Sequence, residues 1–144
     1  MKKILIVDDD NAITTIYRKS LENEGYTVNT CSDLKSTWSR IELEVPDLMI
    51  LDVHLPDGNG VDFTEKIKLK YPQIIIIILT AHGSVKDGVR AIKLGAYNYI
   101  DKSEPRNHFF SLIQQSFSHD AIQDATKLTY HYETENKIIG SSVL

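Results

Sequence analysis

Five short aliphatic runs, separated by longer amphipathic stretches, restrict this chain to very few folds. The runs are Lys3–Val7, Tyr26–Cys31, Asp47–Leu51, Ile74–Leu79 and Tyr97–Ile100. Four of them are apolar at nearly every position, as strands covered on both faces must be; the second alternates more and suits a sheet edge. The intervening segments have helical spacing. Asp10 or Asn11 caps a first helix, with Ile13, Ile16, Tyr17 and Leu21 on one face and Gly25 at its end. Asp33 caps a second, with Leu34, Trp38 and Ile41 on its stripe. A third runs from about Gly60 to Lys70 and stops before Pro72. A fourth begins at Ser84, carries Val85, Val89 and Ile92, and ends at Gly95; a fifth runs from about Glu104 with Phe109, Leu112, Ile113 and Phe117 facing in. The pattern is (βα)₅. Right-handed crossovers then give an α/β doubly wound fold, a five-stranded parallel sheet with helices on both faces.

A chain of 144 residues is long enough to bury a core, and 42% hydrophobic with 25% charged residues is a globular composition. The net charge of −4 and the lack of a basic stripe argue against nucleic-acid binding by this segment. Cys31 is the single cysteine, expected as buried filler in a reducing compartment. Met1-Lys2-Lys3 leads into an apolar run that ends in three aspartates, unlike a signal peptide. The longest apolar stretch, Ile74 to Leu79, is far short of the ~20 residues of a membrane span. A soluble, cytoplasmic location without membrane contact is therefore expected.

In open parallel sheets the ligand site lies beyond the carboxyl ends of the strands. Asp8 and Asp9 close the first run, Asp52 the third and Thr80 the fourth, while Lys102 follows the fifth. Three converging carboxylates repel one another unless a cation joins them, and a hard divalent ion such as Mg²⁺ (or Mn²⁺) suits such oxygens. With Lys102 as a point charge and Thr80 as a hydroxyl donor, the site fits a phosphoryl group beside a metal. Asp52 can then act as a nucleophile that forms an acyl phosphate. Alone, Asp8-Asp9-Asp10 is equally explained by the dipole at a helix N-terminus; beside Asp52 and Lys102 the cation site is the better account. Asp57-Gly58-Asn59-Gly60 has the composition of a turn rather than of a calcium loop. His54 and His82 flank the site and are expected as solvent-facing loop residues that affect how water reaches the acyl phosphate.

Val7-Asp8-Asp9, Leu51-Asp52 followed by Pro56 and Gly60, Leu79-Thr80-Ala81, and Lys102 occur in the order found in one family. Over about residues 1–118 the chain resembles the receiver domains of two-component response regulators. The resemblance implies a flavodoxin-like sheet of order 2-1-3-4-5 and a phosphoacceptor, Asp52, supplied by the phosphohistidine of a sensor histidine kinase. It implies metal binding by Asp9, by Asp8 mainly through water, by Asp52, and by the backbone carbonyl of His54. Thr80, the backbone amide of Ala81, and Lys102 would hold the phosphoryl oxygens. Tyr99 matches the aromatic position that moves inward when Thr80 is drawn toward the phosphate. A regulatory domain is implied, not an enzyme, with self-phosphorylation and self-dephosphorylation as its only chemistry. The implied output is a change in homodimerisation through the face of the fourth helix, fifth strand and fifth helix, or through a linker helix.

One departure from the family is that serine, not proline, follows the lysine: the sequence reads Lys102-Ser103-Glu104-Pro105. A cis bond before a non-proline residue costs ~3 kcal/mol, so a trans Lys102–Ser103 bond and a rearranged loop are expected. Farther on, Ile138-Ile139-Gly140-Ser141-Ser142 resembles the opening of the AAA+ domain of NtrC-type activators of sigma-54-dependent transcription. Thr80 to Ser84 and Gly95 to Tyr99 also resemble receivers of that subfamily. The expected division is a receiver at 1–118, a helix extension and linker at 119–137, and the stub of a following AAA+ domain at 138–144. No Walker A loop or DNA-binding helix pair is present, so ATP hydrolysis and DNA reading are not expected of this segment. The alternatives are a stand-alone receiver without an output domain and a phosphatase of the haloacid dehalogenase type. The latter needs a second Asp two residues after the nucleophile, where this chain has His54.

Overall fold

The computed structural model describes residues 1–81 and 84–120. His82, Gly83, the expected linker from residue 121 onward and the stretch Ile138–Ser142 lie outside the described residues. In chain order the elements are β1 (Lys3–Val7), α1 (Asn11–Asn23), β2 (Thr27–Cys31), α2 (Leu34–Leu43) and β3 (Leu48–Asp52). They continue with β4 (His54–Leu55), β5 (Gly58–Asn59), α3 (Gly60–Lys70), β6 (Ile75–Thr80), α4 (Val85–Lys93) and β7 (Asn98–Asp101). A fifth helix, α5, covers residues 106–120.

Strands β2-β1-β3-β6-β7 form one sheet in that order, every neighbouring pair parallel. With β4 and β5 set aside as a two-residue antiparallel hairpin, this is the expected 2-1-3-4-5 order. The hairpin is an addition to the sequence expectation. β2 lies at the edge, as its alternation requires, and β1, β3 and β6 fill the middle with buried aliphatics. On one face Ile41 of α2, Val61, Phe63 and Ile67 of α3, and Ala91 of α4 share a core with Leu5, Val7, Met49, Leu51, Ile76 and Ile78. The alternate strand residues point to the opposite face, where α1 packs on β1 and β2 and buries Thr14, Tyr17 and Leu21.

The chain divides after Pro105. The described part of its second unit is α5, which buries Phe109, Leu112 and Ile113 and in which Ser116 donates to the Ile113 carbonyl at 2.7 Å. Phe117, expected to face in, is half-buried.

Helix starts follow the capping residues. The Asp10 carboxylate accepts from the amides of Ala12 and Ile13, Asp33 from Ser36, and Asn59 from Val61 and Asp62. Each satisfies amides that the first turn leaves without an intrahelical partner. On two helices burial does not follow the aliphatic spacing throughout. Ile16 is exposed, and Thr14 takes a buried place on α1 in its stead. On α4 the aliphatic stripe points outward: Val85, Val89 and Ile92 are 60%, 42% and 43% exposed, whereas Gly88 and Ala91 are buried. Small residues let this helix approach β6 and β7 closely, so position 91 has no room for a larger side chain.

Replacing Val89 by Lys should therefore change unfolding free energy by no more than about 0.5 kcal/mol. Replacing Ala91 by Leu should cost roughly 1–3 kcal/mol through overpacking. Urea unfolding of both variants checks the assignment, and the reverse ranking would show that α4 buries its aliphatic stripe.

Candidate phosphoacceptor and metal site

Parallel register brings the ends of β1, β3 and β6 to one edge of the sheet. Val7 lies opposite Leu51 and Asp52 opposite Leu79, so Asp8, Asp52 and Thr80 end neighbouring strands. Asp52 and Thr80 are the last residues of their strands rather than the first beyond them. All three side chains are taken out of water: Asp8 is 1%, Asp52 5% and Thr80 1% exposed. Asp9 is exposed at the rim. Carboxylate oxygens of Asp8, Asp9 and Asp52 all lie within 4.8 Å of one another, so the three could hold a metal ion.

Lys102 reaches this group from beyond β7. Its Nζ is 2.9 Å from Asp8 Oδ2 and 3.3 Å from Asp52 Oδ2. The loop that carries it is fixed from both sides. The Lys102 amide donates to the Thr80 carbonyl at 2.9 Å. Asp101 Oδ1 accepts from the Ser103 amide at 2.8 Å and from the Ser103 hydroxyl at 2.7 Å, while the Asp101 amide donates to Glu104 Oε1 at 3.2 Å. The Lys102–Ser103 bond is trans, as expected. This network of acid and hydroxyl side chains occupies the loop where the family was expected to have a proline.

Asp8 Oδ1 accepts from the Asp10 amide at 2.9 Å, and the buried Asp8 Oδ2 faces the ammonium of Lys102 at 2.9 Å. Three carboxylates against one ammonium leave two negative charges uncompensated, two of the acids being buried. An all-oxygen, doubly negative donor set with its ligand atoms this close together fits a hard divalent cation. The Asp52 carboxyl is pushed up to about 6, first by burial and next by the charge of Asp8, with Lys102 opposing both. Burial depresses the Lys102 ammonium, but the adjacent Asp8 and Asp52 outweigh it and hold its pKa above the ordinary value.

The segment after Asp52 turns back on itself. The Gly60 amide donates to the Val53 carbonyl at 2.7 Å, and a side chain at Gly60 would overlap the Asp52 carbonyl oxygen. Only glycine fits there. His54 pairs with Asn59 in the β4–β5 hairpin and is exposed, in keeping with a solvent-facing histidine; His82 lies outside the described residues. Asp57, expected only to shape a turn, reaches across to α2. Its Oδ1 accepts from the Leu34 amide at 2.8 Å and its Oδ2 from the Lys35 amide at 3.0 Å. A cap 22 and 23 residues distant in sequence leaves no local signal. Thr80 Oγ1 donates to the Ile100 carbonyl at 3.3 Å, and Ala81 is exposed at the end of β6. Tyr99, opposite Ile78 on β7, is half-buried at the edge of the core.

The Asp52 shift has a stability consequence. The fold favours the protonated form, so this group destabilises the native state as pH rises from its unfolded pKa near 4 through its folded value of about 6. Without metal, Asp52→Asn should be more stable than wild type at pH 7 by roughly 1–3 kcal/mol, the gap closing below about pH 4. Urea unfolding at pH 4 and 7 in chelator checks this. A gap that is the same at both pH values would contradict it.

Comparison with known proteins agrees with this geometry. Residues 4–114 match the response regulator receiver domain family. The transcriptional regulatory protein PhoP for alkaline phosphatase synthesis in Bacillus subtilis is 39% identical over 101 residues, 70% of this chain and 42% of that protein. The alginate biosynthesis transcriptional regulatory protein AlgB of Pseudomonas aeruginosa is 37% identical over 100 residues, 69% of this chain and 22% of that protein. Thus the chain spans under half the length of these relatives. The solution structure of the beryllofluoride-activated NtrC4 receiver domain dimer superimposes with a TM-score of 0.79 at 38% identity, covering 83% of this chain and 99% of that one. Strand order, clustered acids and sequence match together place this chain in the response regulator receiver domain family of two-component systems.

Proposed function

We propose that this domain is a phosphorylation-controlled switch whose phosphoacceptor is Asp52. The observation that carries the proposal is a buried carboxylate of raised pKa, 3.3 Å from a lysine ammonium and within reach of two further acids. An Asp52 oxygen attacks the phosphorus of a phosphohistidine on a sensor histidine kinase. The P–O bond to Asp52 forms as the P–N bond breaks, and the imidazole leaves with the bond's electron pair. Asp8, Asp9, Asp52 and the His54 carbonyl would hold Mg²⁺, which supplies charge neutralisation for the phosphoryl oxygens. Lys102 gives the same help from the opposite side. The Thr80 hydroxyl and the Ala81 amide donate to the remaining oxygens. The acyl phosphate is stored until water attacks it, so the domain does not turn over a separate substrate.

Readout begins at Thr80. Its hydroxyl is engaged with the Ile100 carbonyl; turning it toward a phosphoryl group frees that carbonyl and the space that Tyr99 can take. The exposed stripe of Val85, Val89 and Ile92 is an apolar face without a partner among the described residues and suits pairing of two receivers. The NtrC4 receiver is a dimer in its beryllofluoride-activated form, which supports such pairing. The receiver would end near residue 118, followed by a linker at 119–137 and the start of an NtrC-type AAA+ output domain at 138–144. The resulting protein would be a cytoplasmic activator of sigma-54-dependent transcription. Among the described residues no helix is long and apolar enough to cross a membrane.

Incubated with Mg²⁺ and acetyl phosphate, the wild-type chain should gain ~80 Da, and Asp52→Asn should gain nothing. Lys102→Ala should slow the gain by roughly 10²–10³-fold, as removal of one charge-stabilising donor does. Thr80→Ala should accept the group yet fail to change oligomeric state. Intact mass and size-exclusion chromatography read all four proteins. An equal mass gain in wild type and Asp52→Asn would overturn the assignment.

A further inference from the structure

Gly88 lies inside the first turns of α4, its amide donating to the Ser84 carbonyl at 3.2 Å. Its backbone does not need glycine: the glycines of positive φ are Gly25, Gly58 and Gly95. In a helix interior glycine is the least favourable residue after proline, because it loses the most backbone freedom. What requires glycine at this position is Tyr99. A methyl group at Gly88 would overlap Cγ, Cδ1 and Cδ2 of the Tyr99 ring, so the ring lies flush against bare helix backbone. Tyr99 stands opposite Ile78, and Thr80 opposite Asp101, so the side chains of Tyr99 and Thr80 project to the same face of adjacent strands. Ala91, one turn along α4, is also small and buried, which brings the helix down over β7.

We propose that Gly88 is a positioning residue, a seat cut into α4 that sets where the Tyr99 ring lies beside Thr80. The side chain at position 88 then decides how readily Tyr99 moves when Thr80 changes partner. This last step rests on the phosphorylation switch proposed above; the seat itself does not.

The test is a double-mutant cycle of Gly88→Ala and Tyr99→Ala in the unphosphorylated chain, read by urea midpoint and by the NMR signals of the Tyr99 ring. With Tyr99 present, Gly88→Ala should lower the midpoint and displace the ring signals. With Tyr99→Ala, the same change should raise the midpoint, since the clash is gone and alanine favours the helix. A Gly88→Ala chain that is stabilised in both backgrounds, with its Tyr99 signals unmoved, would overturn the seat. For the regulatory step, Gly88→Ala should change the dimer fraction of the Asp52-phosphorylated chain by at least threefold, and the Tyr99→Ala background should abolish that effect. An unchanged dimer fraction at equal phosphorylation would refute control by position 88. Absence of phosphorylation in wild type would count against the switch itself, leaving the cycle to judge the seat.

Discussion

The ion pair of Lys102 with Asp8 and Asp52 is the contact on which the rest of this site depends. Two buried carboxylates at the ends of adjacent strands repel each other, and desolvation raises the free energy of each charge. One ammonium, held at 2.9 and 3.3 Å, offsets part of that cost. The remainder appears as the raised pKa of Asp52. A polar cluster of this kind is a poor stabilising device, because taking its charges out of water and crowding its acids costs more than one ammonium returns. It suits the cation and the phosphoryl group of the function proposed above, and the family match is in keeping with that proposal.

The architecture around the cluster serves to hold it still. Parallel strands end in step, so acids that are 44 residues apart in sequence become neighbours. The backbone after Asp52 returns tightly onto it at Gly60, and the intervening hairpin is tied to α2 by Asp57. The lysine loop is fixed by Asp101, Ser103 and Glu104. Against this rigid edge, α4 is built differently, with small residues inward and aliphatics outward. That arrangement leaves a half-buried aromatic beside Thr80 and an uncovered apolar stripe, the two features a conformational signal would use.

Much of the fold was legible in the sequence because continuous aliphatic runs can only be central strands, and because Asp10, Asp33 and Asn59 stand where helices need acceptors. The site was legible for a related reason: polar residues directly after buried runs must gather at one sheet edge. What could not be read depended on facing and on distant pairing. Val85, Val89 and Ile92 have core spacing, yet glycine and alanine on the other side of α4 permit the closer approach and win the interior. Ile16 gives way to Thr14, whose hydroxyl is satisfied by the Asn11 carbonyl at 3.1 Å and so can be buried. Asp57 has the composition of a turn; its role on α2 follows only from tertiary structure.

The proposed function requires Asp52 to be a desolvated, charge-crowded carboxylate that can meet a cation and a phosphoryl group. Titration of its side-chain carboxyl carbon by ¹³C NMR, with and without Mg²⁺, tests this most directly. A midpoint of about 6 in chelator and a clear downward shift on adding Mg²⁺ are expected. A midpoint near 4 in chelator, unmoved by the metal, would contradict it.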